Sequence, residues 1–183
     1  MPGKDKPLVR SFYQVPAEVL APALLGTILV RQSGNRLFRA RIVETEAYVG
    51  THDLACHAAK GRTKRTEIMF GPAGIAYVYL IYGMYHMLNI VASREEDAQA
   101  VLIRGAVPLD DWNADLSGPG KLARQFGITR EHNGWDLTHP DFCLHPGGTD
   151  RPVIQITKRI GIDYAGEWKD KLLRFIDGRY VKR

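Results

Sequence analysis

The chain has 183 residues, 45% of them hydrophobic and 25% charged, the make-up of one globular domain with a sizeable core. No apolar run approaches the roughly 18–20 residues needed to cross a bilayer, and two cysteines, Cys56 and Cys143, outside any CxxC pair, exclude a disulfide framework and fit reduced thiols. A net charge of +5 suits a polyanionic partner, more so because Lys60, Arg62, Lys64 and Arg65 cluster and Lys158, Arg159, Lys169, Lys171, Arg174, Arg179, Lys182 and Arg183 load the C-terminal quarter.

Residues 1–10 are expected to form a flexible arm, since charge there is not followed by the apolar stretch of a secretory signal, and residues 11–183 a single domain. Pro16 to Gly26 reads as a helix, with Pro at its start, Gly at its stop and Pro22 straining its middle. Thr27–Arg31 and Leu37–Val49 read as strands around the turn Ser33-Gly34-Asn35. Residues 50–69 are polar, basic and aperiodic, a loop long enough to suggest function or disorder. Strands are expected at 75–82 and 84–93 about Gly83, and at 100–107. A short helix, 121–127, enters through Gly118-Pro119-Gly120. Residues 132–151 read as loop, 152–162 as extended and 172–176 as a last strand. The fold class is α+β, one mixed domain around an antiparallel sheet.

Two runs carry chemistry. In Ile42-Val-Glu-Thr-Glu-Ala-Tyr48, strand alternation puts Glu44, Glu46 and Tyr48 on one face, where buried carboxylates are costly unless paired or used. In Tyr77-Val-Tyr-Leu-Ile-Tyr-Gly-Met-Tyr85 the tyrosines either pack the strands or stack on a planar ligand. Glu44 on its own could simply pair with Arg39 or Arg41. Arg104, inside an apolar strand, suits a carboxylate or phosphate. Gly120-Lys121 fails as a P-loop, because Asp115 and Leu122 stand where that motif needs Gly and Ser or Thr; its glycines either offer amides to a phosphate or form a plain turn. His52, Asp53, Cys56 and His57 lie close together but lack a second ligand cluster, so no metal is expected.

The ordered set Val43-Glu-Thr-Glu-Ala-Tyr48, His57, Met69-Phe-Gly-Pro72, Tyr77-Val-Tyr79, Tyr82-Gly-Met84, Asn89, Leu102-Ile-Arg104, Gly118-Pro-Gly-Lys-Leu122, Asn133-Gly-Trp-Asp-Leu137 and Arg159-Ile-Gly-Ile162 strongly resembles the alkyladenine (3-methyladenine) DNA glycosylase family. Lys64, Thr66 and Leu172 depart from the family pattern.

The resemblance implies a monofunctional glycosylase excising alkylated or deaminated purines (3-methyladenine, 7-methylguanine, hypoxanthine, ethenoadenine), and a protruding β-hairpin in a fold like the C-terminal domain of formyltransferases. By the same resemblance Glu46 is the general base, and Arg104 helps to hold the water and the adjoining phosphate. Tyr48, His57 and Tyr79 stack the everted base, Asn89 rejects guanine, Tyr82 is the wedge with Met84 beside it, and Arg62, Lys64, Arg65, Gly120 and Lys121 meet the DNA backbone. The expected partner of this monomer is damaged double-stranded DNA, with no cofactor, metal or membrane. The setting would be the cytoplasm, at the nucleoid when DNA-bound, if the source is bacterial, and the nucleus if it is eukaryotic. Two rivals are a glycosylase/lyase using Lys121 as a Schiff-base nucleophile and a non-catalytic nucleic-acid-binding module.

Overall fold

Why the chain folds as it does is clearest at β2 (Arg36–Tyr48), the longest strand of the computed structural model, which describes residues 6–180. It pairs along one edge with β5 (Gln99–Pro108), and along the other first with β1 (Ile28–Ser33) and then with β8 (Arg174–Asp177), all antiparallel. The exchange of partners falls at Glu44, where the β2–β5 register slips, a bulge that bends the strand. Gly105 lies opposite, and a Cβ there would stand 3.3 Å from Glu44 Oε2, so the missing side chain makes room for the carboxylate.

With β3 (Ala76–Ile81), β4 (Tyr85–Ala92), β6 (Phe142–His145) and β7 (Ile154–Thr157), the described residues form one eight-stranded sheet, its main path running β3-β4-β5-β2-β1-β6, with β7 beyond β8. After the single-turn α1 (Arg10–Tyr13), α2 (Ala17–Leu24) buries Ala17, Leu20, Ala21 and Leu24, the i, i+3, i+4, i+7 stripe of an amphipathic helix. The helix ends two residues after Pro22, so little of it has to absorb the missing amide. The third helix, α3 (Pro119–Phe126), buries Leu122, Ala123 and Phe126 and closes on Gly127 at φ 64°, a left-handed stop that glycine adopts without strain.

Three expectations need correcting. Residues 8–10 are not a free arm: the Leu8 amide donates to Leu144 O at 2.7 Å, and Arg10 reaches Ala73 O at 2.6 Å and Asp136 at 2.5 Å. Residues 1–5 of the expected arm and the basic pair Lys182 and Arg183 lie outside the described residues. The stretch 132–151 contains β6, four residues between Pro140 and Pro146, too short for periodicity to reveal. The 152–162 run keeps only β7 as strand, and its remainder turns toward β2.

The 50–69 loop is anchored, with 3-10 turns at His57–Lys60 and Glu67–Phe70. Cys56, Ala58, Met69 and Phe70 pack a second small core with Tyr77, Val91, Ala98 and Ala100. Those four anchors have irregular spacing, which is why the segment reads as unstructured. The Thr66 hydroxyl, at a position that departs from the resemblance, donates to Gly61 O at 2.9 Å and accepts from the Thr63 amide at 2.8 Å, fastening the loop internally.

Candidate active site

Glu44, Glu46 and Tyr48 do share a face of β2, and each is engaged. Tyr48 donates its hydroxyl to Glu46 Oε2 at 2.9 Å, while Glu46 Oε1 accepts the Ile160 amide at 2.7 Å. Arg104, from β5, sits between the carboxylates, with Nε on Glu44 Oε1 at 3.2 Å and Nη1 at 3.6 Å from Glu46 Oε2. Arg174, from β8, donates to the same Glu44 oxygen at 2.7 Å. Glu44 therefore holds two site arginines, and the simple pairing with Arg39 or Arg41 does not occur: Arg39 lies on Asp110, and Arg41 on Gly26 O and Gly147 O.

Glu46 is wholly buried. Burial pushes its carboxyl above the usual carboxylate range, and Arg104, the Ile160 amide, the Tyr48 hydroxyl and Arg159 pull the other way. Beside it opens a cleft of about 330 Å³ lined by Tyr48, His57, Tyr77, Tyr79, Asn89 and Arg104, with residues 160–162 and Tyr164 at one side. His57 and Tyr79 meet edge to face, ring centres 4.5 Å apart. His57 Nδ1 and the Tyr77 hydroxyl share a 2.9 Å hydrogen bond, and burial, with Arg65 and Lys60 nearby, lowers the His57 pKa to about 4, so its ring is neutral at neutral pH. Asn89, on β4, donates Nδ2 to Tyr77 O at 3.2 Å and to Met87 O at 3.5 Å, which fixes the amide against the cleft wall.

The β3–β4 hairpin presents Tyr82 and Met84, 85% and 65% exposed, at its tip. Tyr82 and Gly83 have φ 51° and 68°, the sign required of both central residues of a type I′ turn. A large aromatic in that conformation with no core contact is strained locally without a packing gain.

The expected backbone contacts divide. Lys64 is exposed and makes no ion pair among the described residues. Arg62 is bridged by Glu67 at 2.7 Å and by Glu96. Arg65 leans over the Tyr79 ring, its guanidinium carbon 5.1 Å from the centroid, and so reaches the cleft rim. Lys121 pairs with Asp115 at 2.7 Å and does not line the cleft. A Cβ on Gly120 would meet the Tyr85 ring at 3.0 Å, so glycine there lets α3 approach the hairpin.

The profile of a family described as Methylpurine-DNA glycosylase matches residues 11–180. The chain belongs to that family. A protein of Myxococcus xanthus (strain DK1622) is 51% identical over 165 residues, covering 88% of this chain and 84% of its own. One from Legionella pneumophila (strain Lens) is 47% identical over 180 residues, covering 96% and 98%, and one from Wolbachia pipientis wMel 46% over 170 residues, covering 91% and 92%. All three carry the name "Putative 3-methyladenine DNA glycosylase".

In this family member several residues of the candidate site lie outside the set expected from the sequence. Tyr77 was expected only as a packing or stacking tyrosine, yet it holds His57. Ile160 contributes a backbone amide, which no side-chain pattern reveals. Tyr164, 71% exposed at the cleft edge, has no signal in the sequence. Asp53 leaves the His52-Asp53-Cys56-His57 group: it forms a buried ion pair with Arg159 at 2.5 Å, while His52 turns to Trp168. Among the described residues no three His, Cys, Asp or Glu side chains come together as metal ligands, and no helix is long and apolar enough to cross a membrane.

Proposed function

We propose that the chain is a monofunctional DNA glycosylase that turns a damaged purine nucleotide out of duplex DNA into the Tyr48–His57–Tyr79 cleft and hydrolyses its glycosidic bond. The observation that carries this reading is a buried carboxylate, Glu46, hydrogen-bonded to the very tyrosine that walls an aromatic cleft. A paired base hides its C1′–N bond, so extrusion at a cost of a few kcal/mol precedes chemistry. Tyr82 fills the vacated step, as wedging side chains do in bent duplexes.

As the C1′–N bond breaks, its electron pair leaves with the base and positive charge grows on the sugar, as in glycoside hydrolysis. On this reading Glu46, held by Tyr48 at the cleft wall, stabilises that charge and takes a proton from the water that bonds to C1′. Both Glu46 oxygens are engaged, so the water reaches the carboxylate by replacing a contact, and the 3.6 Å approach of Arg104 is the loosest of them. Arg104, steadied by Glu44, is then placed to hold water or the adjoining phosphate.

The cleft suits purines methylated at N3 or N7, which carry positive charge while still bonded to the sugar. Tyr48, Tyr77 and Tyr79 offer neutral π faces to a flat cation, and His57, held neutral, does not repel it. Asn89, fixed on Tyr77 O and Met87 O, would crowd the 2-amino group of guanine. Lys64 and Arg65 would meet phosphates of a damaged double-stranded partner, bound by a monomer. The antiparallel sheet with its exposed hairpin supports the likeness to the formyltransferase C-terminal-domain fold, and the bacterial relatives support a cytoplasmic setting, at the nucleoid when DNA is bound. Lys121, held by Asp115 outside the cleft, gives the lyase alternative no support.

The test is base release from duplexes carrying one defined lesion each, assayed with chelator present and followed by borohydride trapping. Hydrolytic release of 3-methyladenine, 7-methylguanine, hypoxanthine or ethenoadenine without a trapped adduct supports the reading. A trapped adduct, or binding without release, overturns it.

A further inference from the structure

A second buried charge stands behind Tyr48. The Arg159 side chain is fully enclosed and bidentate on Asp53, Nη1 to Oδ2 at 2.5 Å and Nη2 to Oδ1 at 2.9 Å. Nη1 also donates to Ala47 O at 3.0 Å and Nη2 to Trp168 O at 3.4 Å. Its guanidinium carbon lies 4.8 Å from the centre of the Tyr48 ring. Asp53 is itself fixed by the amides of Val49 and Ala55. The next residue after Arg159 is Ile160, whose amide holds Glu46. One ion pair thus ties together the 50–60 loop, the end of β2 and the segment that caps Glu46.

We propose that Arg159, locked by Asp53, is a positioning residue for the hydrolysis: it braces the Tyr48 ring and sets the Ile160 amide on Glu46. This rests on the reading of Glu46 as general base. A buried pair is a poor source of stability, because desolvating two ions offsets most of their attraction and an apolar replacement is often as stable. Arg159 even leaves its Nε without a partner. Stability alone therefore accounts poorly for the pair, whereas a planar fork that fixes two neighbouring catalytic contacts makes use of arginine geometry that lysine lacks.

The charged and titratable groups around Glu46 are Tyr48, which donates to it, Arg104 at 3.6 Å, Arg159 and Tyr79, with Glu44 two positions away on β2 and Arg174 opposite it in the β2–β8 register but turned to Glu44. Burial raises the Glu46 pKa, and Arg159 is one of two cations that oppose this. Neutralising Arg159 should let that pKa rise further, moving the acid limb of activity to higher pH.

The experiment measures single-turnover excision against pH for the wild type, Arg159→Met, Arg159→Lys and the pair Asp53→Asn/Arg159→Gln. The double variant removes both charges while keeping hydrogen-bonding groups, so no unpaired ion is left buried. The expected result is a loss on the order of 10–100-fold in the excision step, with the acid limb moved up in the two neutralised variants. Arg159→Lys should keep the acid limb while losing rate. Folded neutralised variants with the wild-type acid limb would overturn the assignment, as would failure of both to fold, which would make the pair a staple of the fold. Glu46→Gln in the same assay separates the two readings: if it stays active the general-base reading fails, and if it is dead while the Arg159 variants match the wild type only the present inference fails.

Discussion

The Tyr48 hydroxyl donates to Glu46 Oε2 at 2.9 Å from two positions along the same strand. The spacing makes the wall of the cleft and its base a single rigid unit, since residues i and i+2 of a strand face the same way. On the proposed function, a purine stacked on Tyr48 would thereby be set against Glu46 by the strand geometry.

Replacing Glu46 with Gln keeps the shape of that unit and removes its basicity. Excision in single turnover should fall about 10²–10⁴-fold, with lesion binding retained. Near-normal excision would shift the role to Glu44.

The same variant should be more stable than the wild type at neutral pH. Because the folded-state pKa of Glu46 is raised, the protonated form favours folding, and the contribution is present below the unfolded pKa and lost as pH rises through the folded one. The gain in Tm from Glu46→Gln should therefore shrink as pH falls through the carboxylate range. A constant difference across pH would contradict the burial argument.

His57 has the opposite sign. Its pKa falls from 6.5 to about 4 on folding, so its contribution is intact above 6.5 and lost as pH drops toward 4. His57→Asn should flatten the acid side of the stability profile across that window. Denaturant titrations at several pH values would reveal it.

Tyr82 separates stability from activity. Tyr82→Gly relieves a positive φ at an exposed position and should stabilise the protein by about 1 kcal/mol. Excision should suffer most for well-paired lesions and least in mismatches, where unstacking is easier. Equal losses on both substrates would remove the wedge role.

Lys64 and Arg62 should behave differently despite lying two residues apart. Lys64→Gln should lower the slope of log affinity against log salt by roughly one. Arg62→Gln should do less, because Glu67 and Glu96 already occupy its guanidinium, and Glu96→Gln should tighten binding. Similar slopes for both variants would mean that DNA displaces the bridges.

At the pocket floor, Asn89→Ser should raise excision of guanine opposite thymine and leave hypoxanthine excision largely unchanged. On the proposed function the excluding contact would be steric crowding of the 2-amino group, a device against an abundant normal base. Loss of hypoxanthine release with no gain on guanine would make Asn89 a structural clamp on Tyr77 O.

Local rules suffice wherever a contact lies within one strand or turn. Alternation places Glu44, Glu46 and Tyr48 on one face, and Gly83 marks the hairpin that carries Tyr82. Gly127 closes α3 because only a left-handed residue stops a helix there without strain. What tertiary structure alone decided is which distant groups meet those residues. Ile160 caps Glu46 across 114 positions, and Arg159 reaches Asp53 across 106. Arg174 joins Glu44 only because β8 takes over the edge that β1 leaves. Such partners depend on strand order and on loops that cross the sheet, neither of which leaves a period in the chain. The sequence therefore determined the groups proposed to carry the chemistry, while three-dimensional packing decided which of them are buried and held in place.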